Sequence, residues 1–301
     1  MEATTEAESD IGRLPEELLA AIISLTSPLD ACRAAAVCRT IRPAADSDAV
    51  WSRFLPRDLP RFVDAAERSL MELPSCKARF RRLSDNPALL LGRVTRMWLD
   101  KATGGKCYTL SARALNISLQ PHWRWMHVHV AHDIKTGRSI VSEAARLWNA
   151  QRLEIRGKIP SKMLSHNSTY AAYMVFKLLH TASGLSHPFQ EASISIGGSE
   201  STHRACLDSY YEDGAGCMVP RKQVLARFRR GFGMVLVEDD VILPQRRTDG
   251  WMELELGGFC NEEDDDGEVC FAFTETEGLN AKTGLVVRSI EMRIKQQGSI
   301  S

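Results

Sequence analysis

Trp123-Arg124-Trp125-Met126-His127-Val128-His129-Val130 decides the architecture of most of this chain. Trp123, Trp125, His127 and His129 alternate with Arg124, Met126, Val128 and Val130, so the pattern repeats every two residues. A strand turns successive side chains to opposite faces, and a period of two marks a strand with two different sides. The same period recurs downstream in Leu153-Glu154-Ile155 and in Tyr170-Ala171-Ala172-Tyr173-Met174-Val175-Phe176. Ile194 and Ile196 flank Ser195, and Met252, Leu254 and Leu256 alternate with Glu253 and Glu255. Val269, Phe271 and Phe273 follow, then Ile290, Met292 and Ile294. Breaks rich in Gly, Pro and Asn separate these runs. About eight strands with few helical patterns between them predict an antiparallel sandwich or jelly roll, not a parallel α/β sheet. One short helix is expected over residues 142–150, with Ala144, Ala145, Leu147 and Trp148 inward.

Upstream of Lys106 the apolar period is helical. Arg13-Leu14-Pro15-Glu16-Glu17-Leu18-Leu19 places a proline at a first helical position and two acids at the positive end of the helix dipole. Leu18, Leu19, Ile22 and Ile23 form its apolar stripe. Ser27-Pro28 ends that helix and opens a second, which carries Leu29, Cys32, Ala36 and Val37 and stops before Pro43. A third starts near Asp46-Ser47-Asp48 and carries Val50, Trp51, Phe54 and Leu55. Three short helices are too small to bury so many large apolar groups among themselves. Part of this surface is therefore expected to face either the rest of the chain or another molecule.

The order of these residues resembles an F-box. The resemblance is carried by Leu14-Pro15-Glu16-Glu17-Leu18, by Ser27-Pro28-Leu29-Asp30-Ala31-Cys32, by Ala45-Asp46-Ser47-Asp48 and by Trp51-Ser52-Arg53-Phe54-Leu55-Pro56. It implies docking on a Skp1-like protein and, through it, on the cullin of a ubiquitin ligase. The residues implied to meet Skp1 are Leu14, Pro15, Leu18, Ile22, Pro28, Leu29, Val37, Trp51 and Phe54. Pro43 after Arg42 departs from the family pattern and shortens the second helix. The expected organisation is a disordered segment 1–12, the box at 13–57, a helical connector at 58–99 and a β-rich domain at 100–296, with a tail at 297–301. In the connector, Lys77, Arg79, Arg81 and Arg82 make a basic helix read as a solvated face.

The β-rich region resembles the phloem protein 2 (Nictaba-like) lectin domain of plants along nearly its full length. Gly105-Lys106-Cys107-Tyr108-Thr109-Leu110, Trp123-Arg124-Trp125, Leu153-Glu154-Ile155-Arg156-Gly157-Lys158-Ile159 and Asp249-Gly250-Trp251-Met252-Glu253-Leu254-Glu255-Leu256-Gly257 carry it, with Lys282-Thr283-Gly284-Leu285-Val286-Val287 near the end. The resemblance implies a jelly-roll sandwich that binds carbohydrate, and a nuclear or cytoplasmic location. Sugar sites set an aromatic face against a pyranose and use carboxylates or amides for its hydroxyls. On that chemistry Trp123, Trp125, Glu253 and Glu255 are the candidate carbohydrate contacts, each with a packing or solvated-face role as the alternative. The family's lectins set another tryptophan shortly before the pair. The shortened segment 116–121 lacks it, which opens protein surfaces as an alternative ligand.

Composition narrows the rest. Lys plus Arg and Asp plus Glu both total 38, so no basic excess marks a nucleic-acid binder. No apolar run approaches the ~20 residues of a membrane span. The acidic start lacks the pattern of a signal peptide, so the eight cysteines are read as free thiols in a reducing compartment. His127, His129 and His132 lack further ligands at metal spacing, and no nucleophile elbow or phosphate loop occurs. No cofactor, metal or catalytic residue is expected. The chain reads as the target-recognising adaptor of a ubiquitin ligase, the rival readings being a stand-alone lectin with a vestigial box and, less favoured, a hydrolase.

Overall fold

The computed structural model describes residues 14–117, 122–133, 138–208, 210–212, 218–220, 241–262, 267–278 and 280–295. The expectations for segments 1–12 and 297–301, and those for 118–121, lie outside them. The chain divides into two compact units, Met1–Cys107 and Tyr108–Ser301.

In the first unit, α1 (Glu16–Ile23), α2 (Pro28–Val37), α3 (Arg42–Asp46) and α4 (Asp48–Phe54) follow in close succession. Pro15 sits at the cap of α1, and Ser27 caps α2 by accepting a hydrogen bond from the Asp30 N–H at 3.1 Å. Pro43 does not merely stop a helix: with Arg42 it forms the first turn of α3, where the missing N–H costs nothing. Ala31, Ala44 and Ala45 are fully buried, so small side chains let these helices approach closely. Trp51 anchors the unit. Its indole N–H donates to the Ala45 carbonyl at 2.8 Å, and its ring meets Phe54 and Phe80 edge-on at centroid distances of 5.6 and 5.2 Å.

Phe80 belongs to the connector, which continues with α5 (Asp64–Met71) and α6 (Cys76–Asp85). The basic helix α6 is thus amphipathic, with Phe80 and Leu83 buried against α4. Its Lys77 pairs with Asp46, and the Cys76 N–H donates to Asp48 at 2.7 Å. The connector is not helical to its end: β1 (Ala88–Leu89) and β2 (Thr95–Leu99) form an antiparallel hairpin. Pro87 ends the helical run just before it.

The second unit is built from strands: β3 (Lys106–Ser111), β4 (Asn116–Ile117), β5 (Trp123–Asp133), β6 (Arg138–Leu147), β7 (Leu153–Pro160), β8 (Ser168–Ser183), β9 (Gln190–Ile196) and β10 (Ser199–Ala205). The short β11 (Tyr210–Glu212), β12 (Met218–Pro220) and β13 (Gln245–Arg246) precede β14 (Met252–Asn261), β15 (Glu268–Glu275) and β16 (Thr283–Ile294). The larger sheet runs β3-β16-β8-β14-β13, with β6 sharing the β3 edge of β16 and β5 pairing with β6. The smaller sheet runs β10-β9-β15-β7-β4, with its strands paired antiparallel.

The two sheets face each other across a sealed apolar core. Met174, Phe176, Val287 and Ile290 come from one side, and Ile155, Ile194, Phe271 and Phe273 from the other. At Gly257 the backbone adopts φ +150°, and an added Cβ would stand 2.6 Å from the Ile194 Cγ2. Glycine at this bulge of β14 lets the sheets close to packing distance.

The helix expected over 142–150 is instead the second half of β6. Ala144 packs with Val175, Trp251 and Val286 on one face of the sheet, whereas Ala145 is 1% exposed on the other. A central strand covered on both faces carries a continuous apolar run, and over so short a segment that run imitates a helix.

Candidate functional site

The stripe on α1 divides into two faces. Leu19 and Ile23 are buried at 4% and 6% exposure, whereas Leu18 and Ile22 stand open at 52% and 48%. The split is geometric, because i and i+4 share a face and the two pairs are offset by one residue. Leu25, three residues beyond Ile22, is 80% exposed. On α2 the buried positions are Pro28, Ala31 and Ala35, and the outward ones include Leu29 at 41% and Val37 at 86%. Leu29 and Val37 are eight residues apart and so return to one side of the helix. The result is a set of open apolar side chains, Leu18, Ile22 and Leu25 at α1 and Leu29 and Val37 on α2, with Pro15 exposed ahead of them and Leu14 half-buried.

Three residues assigned to docking by the sequence are not in this set. Pro28, Trp51 and Phe54 are buried, and Trp51 packs on both Phe54 and Phe80. Large aromatic groups at helical spacing serve the core here, and they hold α4 where α1 and α3 can rest on it. Leu25 is the residue the sequence reading left out. Its signal was present, since it extends Leu18 and Ile22 at i, i+4, i+7, but it lies past the end of α1.

On the sandwich the four candidate sugar contacts separate. Register joins Trp125 to Ala145, Ala145 to Val287, Val287 to Phe176 and Phe176 to Met252, one row across five strands. Trp123 pairs with the buried Leu147 and is itself 9% exposed. Both tryptophans therefore point inward with Phe176, and Trp123 is a packing residue. Trp125 is only half-buried, and its ring carries the Arg113 guanidinium at 3.7 Å. Arg113 is held in turn by Glu143 through two hydrogen bonds of 3.0 and 2.8 Å.

Glu253 pairs with Val175, one residue out of step with that row, so Glu253 and Glu255 lie on the opposite face. There they belong to a dense ionic network. Arg293 and Arg247 donate to Glu253 at 2.5 and 2.9 Å, and Lys295 and the Tyr173 hydroxyl donate to Glu255 at 2.6 and 3.3 Å. Glu291 takes Arg247 and Arg293, and Asp249 takes Arg247 and Arg288. Burial pushes Glu253 up, but the hydrogen bonds and charges of Arg293 and Arg247 outweigh it and hold the carboxyl below its usual range. Burial and the Glu255 charge push Tyr173 up to about 12. A single site made of the two tryptophans and the two glutamates is thus excluded, because a sheet separates the pairs.

One groove escaped the sequence reading. A concavity of about 390 Å³ on the smaller sheet is lined by Asn116, Arg156, Lys158, Ser193, Ser195 and Glu200. These residues come from four strands, β4, β7, β9 and β10, and no local motif joins them. Among the described residues no group of three or more His, Cys, Asp or Glu could hold a metal, and no two cysteines are joined by a disulfide. Among them, too, no helix is long and apolar enough to cross a membrane.

A helical unit with exposed apolar side chains, followed by an antiparallel sandwich, defines a two-module protein. Comparison with known sequences agrees. The phloem protein 2 family matches residues 105–294, and an F-box-like family matches residues 11–57. F-box protein PP2-B1 of Arabidopsis thaliana is 33% identical over 97% of this chain and 92% of its own length. F-box protein PP2-B15 of the same plant is 35% identical over 94% of this chain and 96% of its own. The chain belongs to the F-box proteins of the phloem protein 2 type. A xylan-binding domain of Paenibacillus barcinonensis Xyn10C aligns at 10% identity with a TM-score of 0.27, over 61% of this chain and 87% of its own, a likeness too slight to carry an argument.

Proposed function

We propose that this protein is a substrate-recognition adaptor of a Skp1-cullin-F-box ubiquitin ligase, working in the cytoplasm or nucleus and without chemistry of its own. The observation that carries the reading is the exposure of Leu18, Ile22, Leu25, Leu29 and Val37. These side chains are already partly covered, so burying each one further contributes on the order of 1 kcal/mol, and a partner that covers several gains from all of them. A Skp1-like protein is that partner, and a cullin follows through it. The sandwich then selects the target, a glycoprotein in keeping with the lectin character of the resemblance. Ubiquitin transfer belongs to other subunits. This chain contributes proximity, raising the effective concentration of target lysines near the loaded conjugating enzyme.

Co-purification with a Skp1-like protein tests this. The wild-type chain is expected to retain the partner, and the variant carrying Leu18→Asp and Ile22→Asp to lose it while staying folded. Equal retention by both would overturn the assignment of these residues.

A further inference from the structure

The outer face of the larger sheet carries a second charged region, and it differs from the ionic network in one respect. Arg124 pairs in register with Arg146, Arg146 with Val286 and Val286 with Lys177, so three cations lie in one row across β5, β6, β16 and β8. Three strand spacings give this row a length of about 14 Å. Around Glu253 every cation has a carboxylate. Along this row no described acid pairs with Arg124, Arg146 or Lys177, and the Arg146 Nε is a buried donor with no acceptor among the described residues. A buried donor without a partner is costly, and an incoming oxygen would relieve it.

Trp148, just past the end of β6, stands beside the two arginines of the row. It is 47% exposed, with the guanidiniums of Arg124 and Arg146 at 4.5 and 5.0 Å from its ring. Its backbone is fixed on both sides: its N–H donates to the His122 carbonyl at 2.7 Å, and its carbonyl accepts from the Thr283 hydroxyl at 2.6 Å. An indole held in place beside unneutralised cations offers an apolar platform for a sugar ring and charge for its acid group. The groove on the smaller sheet is the poorer candidate for an anion. Its Arg156 and Lys158 are already neutralised by Glu154 and Glu268 at 2.6 and 3.0 Å.

We infer that this row is the glycan-binding site of the sandwich and that its ligand is an acidic oligosaccharide, with Trp148 under a pyranose and Arg124, Arg146 and Lys177 on the carboxylates. The inference rests on the carbohydrate reading of the sandwich and names its site and sugar class.

The test is calorimetric titration of the full chain with an oligogalacturonate, its methyl ester and neutral chitotriose. The acid form is expected to bind, and the ester about tenfold or more weakly, the size of a lost charge-assisted contact. Trp148→Ala and Arg146→Gln should each weaken the acid form by about tenfold, and added salt should weaken it further. Arg156→Gln in the groove should leave it unchanged. Equal binding of acid and ester, loss of binding in Arg156→Gln alone, or tighter binding of a hexaglutamate peptide would each overturn the inference. The ester comparison uses only the wild-type chain, so it decides the matter even where a variant misfolds. Chitotriose binding that survives Trp148→Ala would overturn this site and leave the glycan reading standing. No binding of any saccharide would remove both.

Discussion

The two units treat large apolar side chains in opposite ways. Among the described residues, Leu18, Ile22, Leu25, Leu29, Val37, Leu59, Met71 and Leu91 of the first unit are exposed, against Trp148 alone in the second. A sandwich seals its strands pairwise, because each inward row of one sheet meets a row of the other. A few short helices have too little surface to close on themselves, and the first unit spends its best packing residues, Trp51, Phe54 and Phe80, on holding α4 to α6. What is left over, on α1 and α2, is the exposed apolar surface proposed for docking. The contrast teaches that exposure, not apolar content, separates the docking residues from the core.

Substitutions can break or sharpen this contrast. The largest effect is expected on that exposed surface. Leu18→Asp with Ile22→Asp should weaken binding of a Skp1-like protein by about 100-fold or more, as loss of central interface anchors does. Its melting temperature should stay near wild type, because both residues already face water. Leu19→Asp, one residue away, should instead abolish folding of the first unit, visible as loss of helical circular dichroism.

Next in size is a change inside the sealed unit. Lys282 and Glu275 form an ion pair with side-chain exposures of 0% and 2%, and the Lys282 Nζ also donates to the Gln151 carbonyl at 2.5 Å. Glu275→Ala should cost about 3–5 kcal/mol by stranding the buried ammonium, read by chemical denaturation. Lys282→Met with Glu275→Leu should recover most of that loss.

The ionic network sets a smaller, pH-dependent term. Asp249 and Glu253 are held below their usual range; burial opposes this, but the Trp251 N–H and the charges of Arg247 and Arg288 prevail at Asp249, and Arg293 and Arg247 at Glu253. A depressed carboxyl stabilises the fold above its unfolded value and ceases to do so as pH falls. Thermal stability of the sandwich should therefore hold above about pH 5 and decline below about pH 4. Tyr173 has the opposite sign. Raised to about 12, it supports the fold fully below about pH 10 and loses that support as pH rises toward its folded value. Ultraviolet titration of the tyrosinate should lose a late-ionising contribution in Tyr173→Phe.

The smallest effect belongs to a helix cap. Ser75 accepts from the Ala78 N–H at 3.2 Å at the start of α6, and Ser75→Ala should cost about 1 kcal/mol.

Much of this was legible before any coordinates. Period-two runs marked β5, β7, β9, β14 and β15, and the same runs marked β8 and β16, although both faces of those central strands are largely buried. Proline and serine at 27–28 marked the joint between α1 and α2. What was not legible depended on neighbours distant in sequence. Residues 142–150 looked helical because β6 is covered on both faces, Ala144 on one and Ala145 and Leu147 on the other. Trp123 and Glu253 looked like one site because the sequence does not say which face of a sheet each strand shows. That is settled only by the register running through β6, β16 and β8. Leu18 and Leu19 looked alike because a stripe wider than its core shows no edge in the sequence.

The account turns on α1 and α2 presenting apolar side chains for another subunit to cover. Titrating a Skp1-like protein into the full chain across a range of temperatures measures this most directly. The account predicts one-to-one binding with a clearly negative heat-capacity change, lost with Leu18→Asp and Ile22→Asp. Absence of binding by a folded chain, or equal binding and heat-capacity change in the variant, would contradict it.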